Sequence, residues 1–207
     1  MVKPFIKVGL MVSAVIGLQS CATLSKDECH TADWRTIGFE DGSRGYSSQR
    51  IASHREACAE YGVTPNLELY ITGHRQGVRN YCVPSRGFSL GRSGSQYNNI
   101  CPADLEPDFL ASYRQGQEVH AIEQEIRNID RDMNAVDKER SDLILEIEKN
   151  EKMIVANSTS PKLRRELLEQ NKKLEELILE KDDEFHRLES QKNYLDRQVD
   201  RLLRNRG

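Results

Sequence analysis

Residues 119–136 read Val-His-Ala-Ile-Glu-Gln-Glu-Ile-Arg-Asn-Ile-Asp-Arg-Asp-Met-Asn-Ala-Val, and their apolar members alternate by three and four. Val119, Ile122, Ile126, Ile129, Met133 and Val136 therefore fall on one stripe of a helix. The stripe continues through Leu143, Ile147 and Ile154, with Arg140 and Asn150 in the missing seam places. It breaks at Asn157-Ser158-Thr159-Ser160-Pro161. It resumes with Leu167, Leu174, Ile178, Phe185, Leu188, Leu195, Val199 and Leu202, and Asn171, Lys181 and Lys192 fill its gaps. A heptad repeat sustained on both sides of one short break predicts two coiled-coil arms. Ser160 is a good N-cap and Pro161 suits the first helical position. Two arms around a short loop fold most simply into an antiparallel hairpin over residues 117–207, broken at 157–161. An arm of about 45 residues reaches about 70 Å.

Setting a against d across the hairpin places Asn150 opposite Asn171, Val136 by Phe185, Met133 by Leu188 and Ile122 by Val199. A buried Asn pair fixes alignment at some cost in stability. The flanking positions are acidic in both arms, among them Asp130, Glu139, Asp182 and Glu184, and facing rims of like charge repel. Either Arg140, Lys181 and Lys192 lean out of the seam and offset this, or the arms seek a different, more basic partner.

Upstream the composition changes. Gly, Cys, Tyr and Trp lie almost wholly before Gly116. The chain as a whole is 37% hydrophobic and 30% charged, polar for one globule, and this average hides two unlike halves. The expected boundary lies between Pro107 and Gly116, with a Cys/Gly-rich domain over residues 29–116. Net charge is -3, so no basic excess points to nucleic acid.

The first residues carry Lys3 and Lys7, then a short apolar run, then Leu18-Gln19-Ser20-Cys21. This is the pattern of an export signal, and its last four residues resemble a bacterial lipobox. The resemblance implies that residues 1–20 are removed and that Cys21 is lipidated, with a linker over residues 21–28. The apolar run is short for a membrane span, which takes about 20 apolar residues. Four further cysteines remain, Cys29, Cys58, Cys82 and Cys101. An even number in an exported chain reads as two disulfides. Three connectivities are open, and the pairing of chain neighbours, Cys29–Cys58 with Cys82–Cys101, is preferred here.

Within the Cys/Gly-rich half, short helices alternate with glycine turns. One starts at Asp33-Trp34 and runs to Gly45. A second is capped by Ser47 or Ser48, carries Cys58 and stops at Gly62. A third follows Asn66 and carries Leu67, Leu69, Tyr70 and Tyr81. Residues 83–99 hold Gly87, Gly91 and Gly94 and are expected to form an ordered loop or a hairpin. A motif recurs: Trp34 precedes Gly38 and Gly42, Tyr70 precedes Gly73 and Gly77, and Tyr113 precedes Gly116. Glycine inside a helix costs about 1 kcal/mol relative to alanine. Close helix packing is the expected compensation.

This half resembles a family of Gram-negative lipoproteins known only as domain of unknown function 2799. The resemblance rests on Asp33-Trp34, Gly38, Asp41-Gly42, Gly45, His54-Arg55, Cys58, Tyr61-Gly62, Pro65, Tyr70, Gly73, Arg75, Gly77, Tyr81-Cys82, Gly87-Phe88, Gly91, Gly94, Tyr97-Asn98 and Cys101-Pro102. It implies a lipid-anchored envelope protein. The residue after the lipidated cysteine, Ala22, implies the outer membrane, with the chain facing the periplasm. It brings no activity with it.

The fold class expected is therefore mainly α, a small disulfide-stapled helical domain followed by a long coiled-coil hairpin. Candidate chemistry is sparse. His54 and Cys58 stand four apart and could share a metal, with His74 and Cys29-His30 to complete the site, but a disulfide is the stronger reading for Cys58, and no cofactor or metal is expected. Trp34, Asp41, Arg44, Arg75 and Tyr97 are candidates for a binding surface. The favoured function is a structural or adaptor lipoprotein that meets an envelope partner through the coiled coil. The alternative is peptidoglycan binding by the Tyr/Arg/Gly surface of residues 33–116, and a hydrolase is the weaker one.

Overall fold

A computed structural model describes residues 23–204, and Cys21 with the leader before it lies outside them. Among the described residues there are helices and no strand. Helix α1 is Lys26–His30, α2 Trp34–Arg44, α3 Ile51–Ala59, α4 Leu67–Tyr81, α5 Pro84–Arg92, α6 Glu106–Val155 and α7 Pro161–Arg204. A 3₁₀ turn, Ser48–Arg50, leads into α3.

Local chemistry explains the boundaries. Ser25 and Glu28 form a reciprocal capping box that opens α1. Asp33 caps α2 by accepting from the Arg35 and Thr36 amides, and Gly45 ends the helix at φ 86°. Asn66 Oδ1 accepts from the Leu69 amide at the start of α4. Ser160 Oγ accepts from the Leu163 amide at the start of α7. The capping of α1 corrects one expectation. Residues from Ser25 onward are not a linker, because Ser25 opens a helix that carries the buried Cys29.

The chain divides into two units, one ending at Gly77 and one beginning at Val78. The expected boundary at 116/117 is therefore not a structural break. Helix α6 runs through it without interruption, and Gly116 serves there as a contact point rather than a stop.

In the first unit a core forms from Cys29, Trp34, Ile51, Cys58 and Tyr70, with Leu24 and Ile37 packed against it. The Cys29–Cys58 disulfide lies inside it. Helices α2 and α4 cross with backbone touching backbone. A Cβ on Gly38 would lie 2.1 Å from Tyr70 O, and one on Gly77 would lie 2.0 Å from Phe39 O.

The second unit repeats the device. Its core is Val78, Tyr81, Cys82, Cys101 and Phe109, with Tyr97 and Tyr113 against it. The disulfide there is Cys82–Cys101. Each cross-link closes a loop of a few tens of residues, which stabilises by about 3 kcal/mol on the chain-entropy model. Here α5 crosses α6 through Gly87, Gly91 and Gly116. A Cβ on Gly91 would lie 2.1 Å from Tyr113 O, and one on Gly116 would lie 2.2 Å from Phe88 O. Residues 84–92 are thus a helix, not the expected loop or hairpin. Pro84 stands in its first turn, and it ends at Ser93 before Gly94, whose φ is 72°. Its two inner glycines are contact points, not turn signals.

Helices α6 and α7 form the expected hairpin. Asn150 Nδ2 donates to Asn171 Oδ1 at 2.8 Å, and both residues are buried. The seam cations reach the acidic rims. Lys181 pairs with Glu139 at 2.7 Å, Arg140 with Asp182 at 3.1 Å, and Lys192 with Asp130. Replacing Asn171 alone by Leu leaves the Asn150 amide buried and unpartnered. It is expected to cost about 1–3 kcal/mol in urea unfolding. The double replacement Asn150→Leu with Asn171→Leu should recover that loss and loosen the register. Intrachain crosslinking across the hairpin would read the second effect.

Candidate functional site: a buried acid–imidazole cluster

Asp41 lies on the buried face of α2, four residues before the glycine that ends the helix. It is 4% exposed, and a carboxylate so deep must be partnered. Three side chains meet it, and others close around them. His54 on α3 approaches Asp41 Oδ2 with Nε2 at 2.8 Å, and Tyr70 on α4 donates its hydroxyl to the same oxygen at 2.8 Å. Arg50, at the end of the 3₁₀ turn, brings Nε to 3.2 Å from Oδ1. Its guanidinium lies 3.9 Å from the Tyr46 ring centroid. On its far side, His54 Nδ1 meets Thr23 Oγ1 at 2.9 Å. His74, stacked on Tyr70, donates from Nε2 to the Tyr46 carbonyl at 2.8 Å.

The electrostatics follow from this geometry. Burial drives the Asp41 carboxyl up, but the hydrogen bonds from His54 and Tyr70 and the positive charges beside it outweigh burial. They hold the group below the usual carboxylate range. Burial, and then the hydrogen bond to Asp41, push the Tyr70 phenol well above its ordinary value. An ionised Asp41 can only accept, so the His54 Nε2 carries a proton. In the neutral ring Nδ1 then accepts from the Thr23 hydroxyl. The series runs hydroxyl, imidazole, carboxylate, but the carboxylate also serves Tyr70 and Arg50. Its clearest physical effect is to tie Thr23, two residues beyond Cys21, to α2, α3 and α4.

The sequence-derived candidates scatter. Trp34 is 7% exposed and belongs to the core, and Asp41 is buried, so neither can line a binding surface. Their helix faces are committed to α3, α4 and the disulfide. Arg44 is exposed and pairs loosely with Glu40 at 3.5 Å. Arg75 is exposed. Tyr97 is in the second unit, half-buried against Phe109 and Tyr113. Its hydroxyl accepts from the Cys101 amide at 2.8 Å and donates to Glu106 at 3.0 Å. Burial first, and Glu106 after it, push that phenol up to about 12. Tyr70 and Tyr81 are buried as well, which takes them off any sugar-facing surface. His54 and Cys58 share no metal here, because the Cys58 sulfur is bonded to Cys29.

The cluster itself escaped sequence reading. One signal pointed to it. His54 and Cys58 are four apart, so a buried Cys58 turns His54 inward, where an imidazole needs a polar partner.

Residues 33–118 match a family described as a protein of unknown function, DUF2799. The match takes in Asp41, His54, Tyr70 and both glycine crossings. It stops within α6, so the hairpin beyond Glu118 lies outside it. No curated protein and no solved structure matches the chain.

Proposed function

We propose that this chain is an envelope lipoprotein that works as a structural adaptor, anchored through Cys21 and docking through its helical hairpin. The observation that carries the reading is the apolar dressing of the hairpin's distal part. Leu145 is 60% exposed, Val155 77%, Leu168 55% and Leu179 65%. Towards the other end, over residues 119–143 and 181–204, Tyr194 is the exposed large hydrophobic side chain among the described residues. Exposed apolar groups gathered in one region of a charged rod mark a contact surface.

Three features support the envelope. The leader pattern ends at a cysteine. The two disulfides fit an oxidising compartment. Thr23 and Leu24 are already built into the first unit, which would hold a lipid on Cys21 close to folded protein. Among the described residues no helix is long and apolar enough to cross a membrane, so attachment in this reading falls to the lipid. The outer membrane, facing the periplasm, is the proposed address.

The test is metabolic labelling with a palmitate analogue in a Gram-negative host. Wild type is expected to carry label and sediment with membranes, and Cys21→Ala to lose both. Unlabelled wild type in the soluble fraction would overturn the anchor. Photocrosslinking probes along Asp132 to Glu189 then ask what the hairpin touches. Capture of no protein by any of them would overturn the adaptor reading.

A further inference from the structure

We infer that the turn end of the hairpin seats on a lipid bilayer surface with anionic headgroups. This contact goes beyond the adaptor reading and rests on its envelope setting only for a bilayer being within reach. Charge singles out this end. Residues 149–165 carry five cations, Lys149, Lys152, Lys162, Arg164 and Arg165, against one acid, Glu151. The rest of the hairpin, residues 117–148 and 166–204, carries 21 acids against 12 Lys and Arg. A basic end on an acidic rod is drawn end-on to an anionic surface, while the shaft is repelled. All five cations are exposed. Lys162 reaches Glu166 only at 3.9 Å, and Arg164 Nη2 lies 3.5 Å from the Ala156 carbonyl oxygen. Lys162, Arg164 and Arg165 stand at the start of α7, whose first turn holds no acid. Cations at a helix N-terminus oppose the macrodipole, so α7 itself gains nothing from them there.

The apex between those cations suits the boundary between headgroups and acyl chains. Residues 153–161, Met-Ile-Val-Ala-Asn-Ser-Thr-Ser-Pro, hold no charged side chain. Val155 is the last residue of α6 and is 77% exposed, and Met153, Leu163 and Leu168 are exposed as well. Apolar side chains set among cations bind an anionic bilayer by burial and attraction together. Each basic residue close to such a surface favours the bound state about fivefold. A protein partner is the poorer fit for this end. A standard interface takes roughly 20–30 residues a side, whereas the apex offers these four large apolar side chains at the end of two helices. A bilayer needs no matching shape. Leu145 and Leu179, higher on the arms, stay with the protein partner.

The experiment puts Val155→Trp into full-length protein carried in phosphatidylcholine vesicles. A second population of vesicles is then added, containing phosphatidylglycerol and acyl chains brominated to quench tryptophan. The expected result is quenching of the new tryptophan. Trp34, buried in the first unit, gives the unquenched background in the wild type. Brominated vesicles of phosphatidylcholine alone should quench neither. Arg164→Gln with Arg165→Gln in the Val155→Trp chain should weaken binding to the second population about 25-fold. An unchanged helical spectrum checks that each variant folds. No quenching by the phosphatidylglycerol vesicles, equal quenching by phosphatidylcholine, or indifference to the two arginine changes would each overturn the inference. So would a photocrosslinker at Val155 that catches a protein and no lipid in intact cells. Crosslinks from Leu145 and Leu179 report the adaptor contact, and labelling at Cys21 reports the anchor, so either can fail with the quenching intact.

Discussion

Gly73→Ala is expected to destabilise the first unit by about 3 kcal/mol or more, against a helix-propensity gain of about 1 kcal/mol in the opposite direction. The new Cβ would stand 1.8 Å from Arg35 O, 2.7 Å from Arg35 C and 3.0 Å from Phe39 N. All three are backbone atoms held in α2, so no rotamer change relieves the clash. The helices must part instead, and the Gly38 and Gly77 contacts loosen with them, since all three glycines serve the same crossing. Gly62→Ala is the control. Gly62 has φ 71° but nothing within 4 Å of the added atom, so the cost is only that of a left-handed alanine, about 1–2 kcal/mol. Urea unfolding followed by far-UV circular dichroism measures both. A Gly73→Ala protein as stable as Gly62→Ala would show that the crossing is not close-packed in solution. Gly91→Ala makes the same test in the second unit, where the carbonyl met is that of Tyr113.

The glycines also show where sequence reading succeeds and where it stops. The hairpin could be read because its information is periodic and local. Seam residues recur along each arm, Ser160-Pro161 marks the restart, and the Asn150 and Asn171 pair fixes the alignment. Glycines 38, 73, 77 and 116 could be read as packing because each follows an aromatic at a helical spacing. Gly87 and Gly91 carry the same physics but sit among Ser85, Ser93 and Gly94, where glycine is ordinary turn punctuation. Only the presence of α6 alongside makes α5 a helix.

The boundary near Gly116 misled for a different reason. Composition shifts there because the chain becomes solvent-exposed rod, and exposure is what composition reports. Division into units depends on which helices touch. The Asp41 cluster is hidden for the most general reason. Its members stand on three helices and a turn, and no local spacing relates Asp41 to Tyr70. Thr23 adds a further distance, since nothing near it announces that it closes on His54.

Asp41→Ala is expected to cost about 3–5 kcal/mol, the range for removing one partner of a buried charge pair. The loss is large because Tyr70 and His54 would be left buried beside an empty place, and Arg50 would lose its counter-charge. Thr23→Val is the small companion change. It removes one hydrogen bond at the edge of the cluster and should cost about 1 kcal/mol. The pH dependence separates charge from shape. The folded carboxyl lies below its ordinary 3.8, so its contribution is fully present above the unfolded value and is lost as pH falls through the folded one. Stability of the wild type relative to Asp41→Asn should therefore shrink as pH falls below about 4. Urea titrations across that range measure it. A difference that stays flat as the solution is acidified would mean that Asp41 holds the unit together by shape rather than by charge. A cluster that fails on acidification would also release Thr23, and with it the tie between the first unit and the chain beside Cys21.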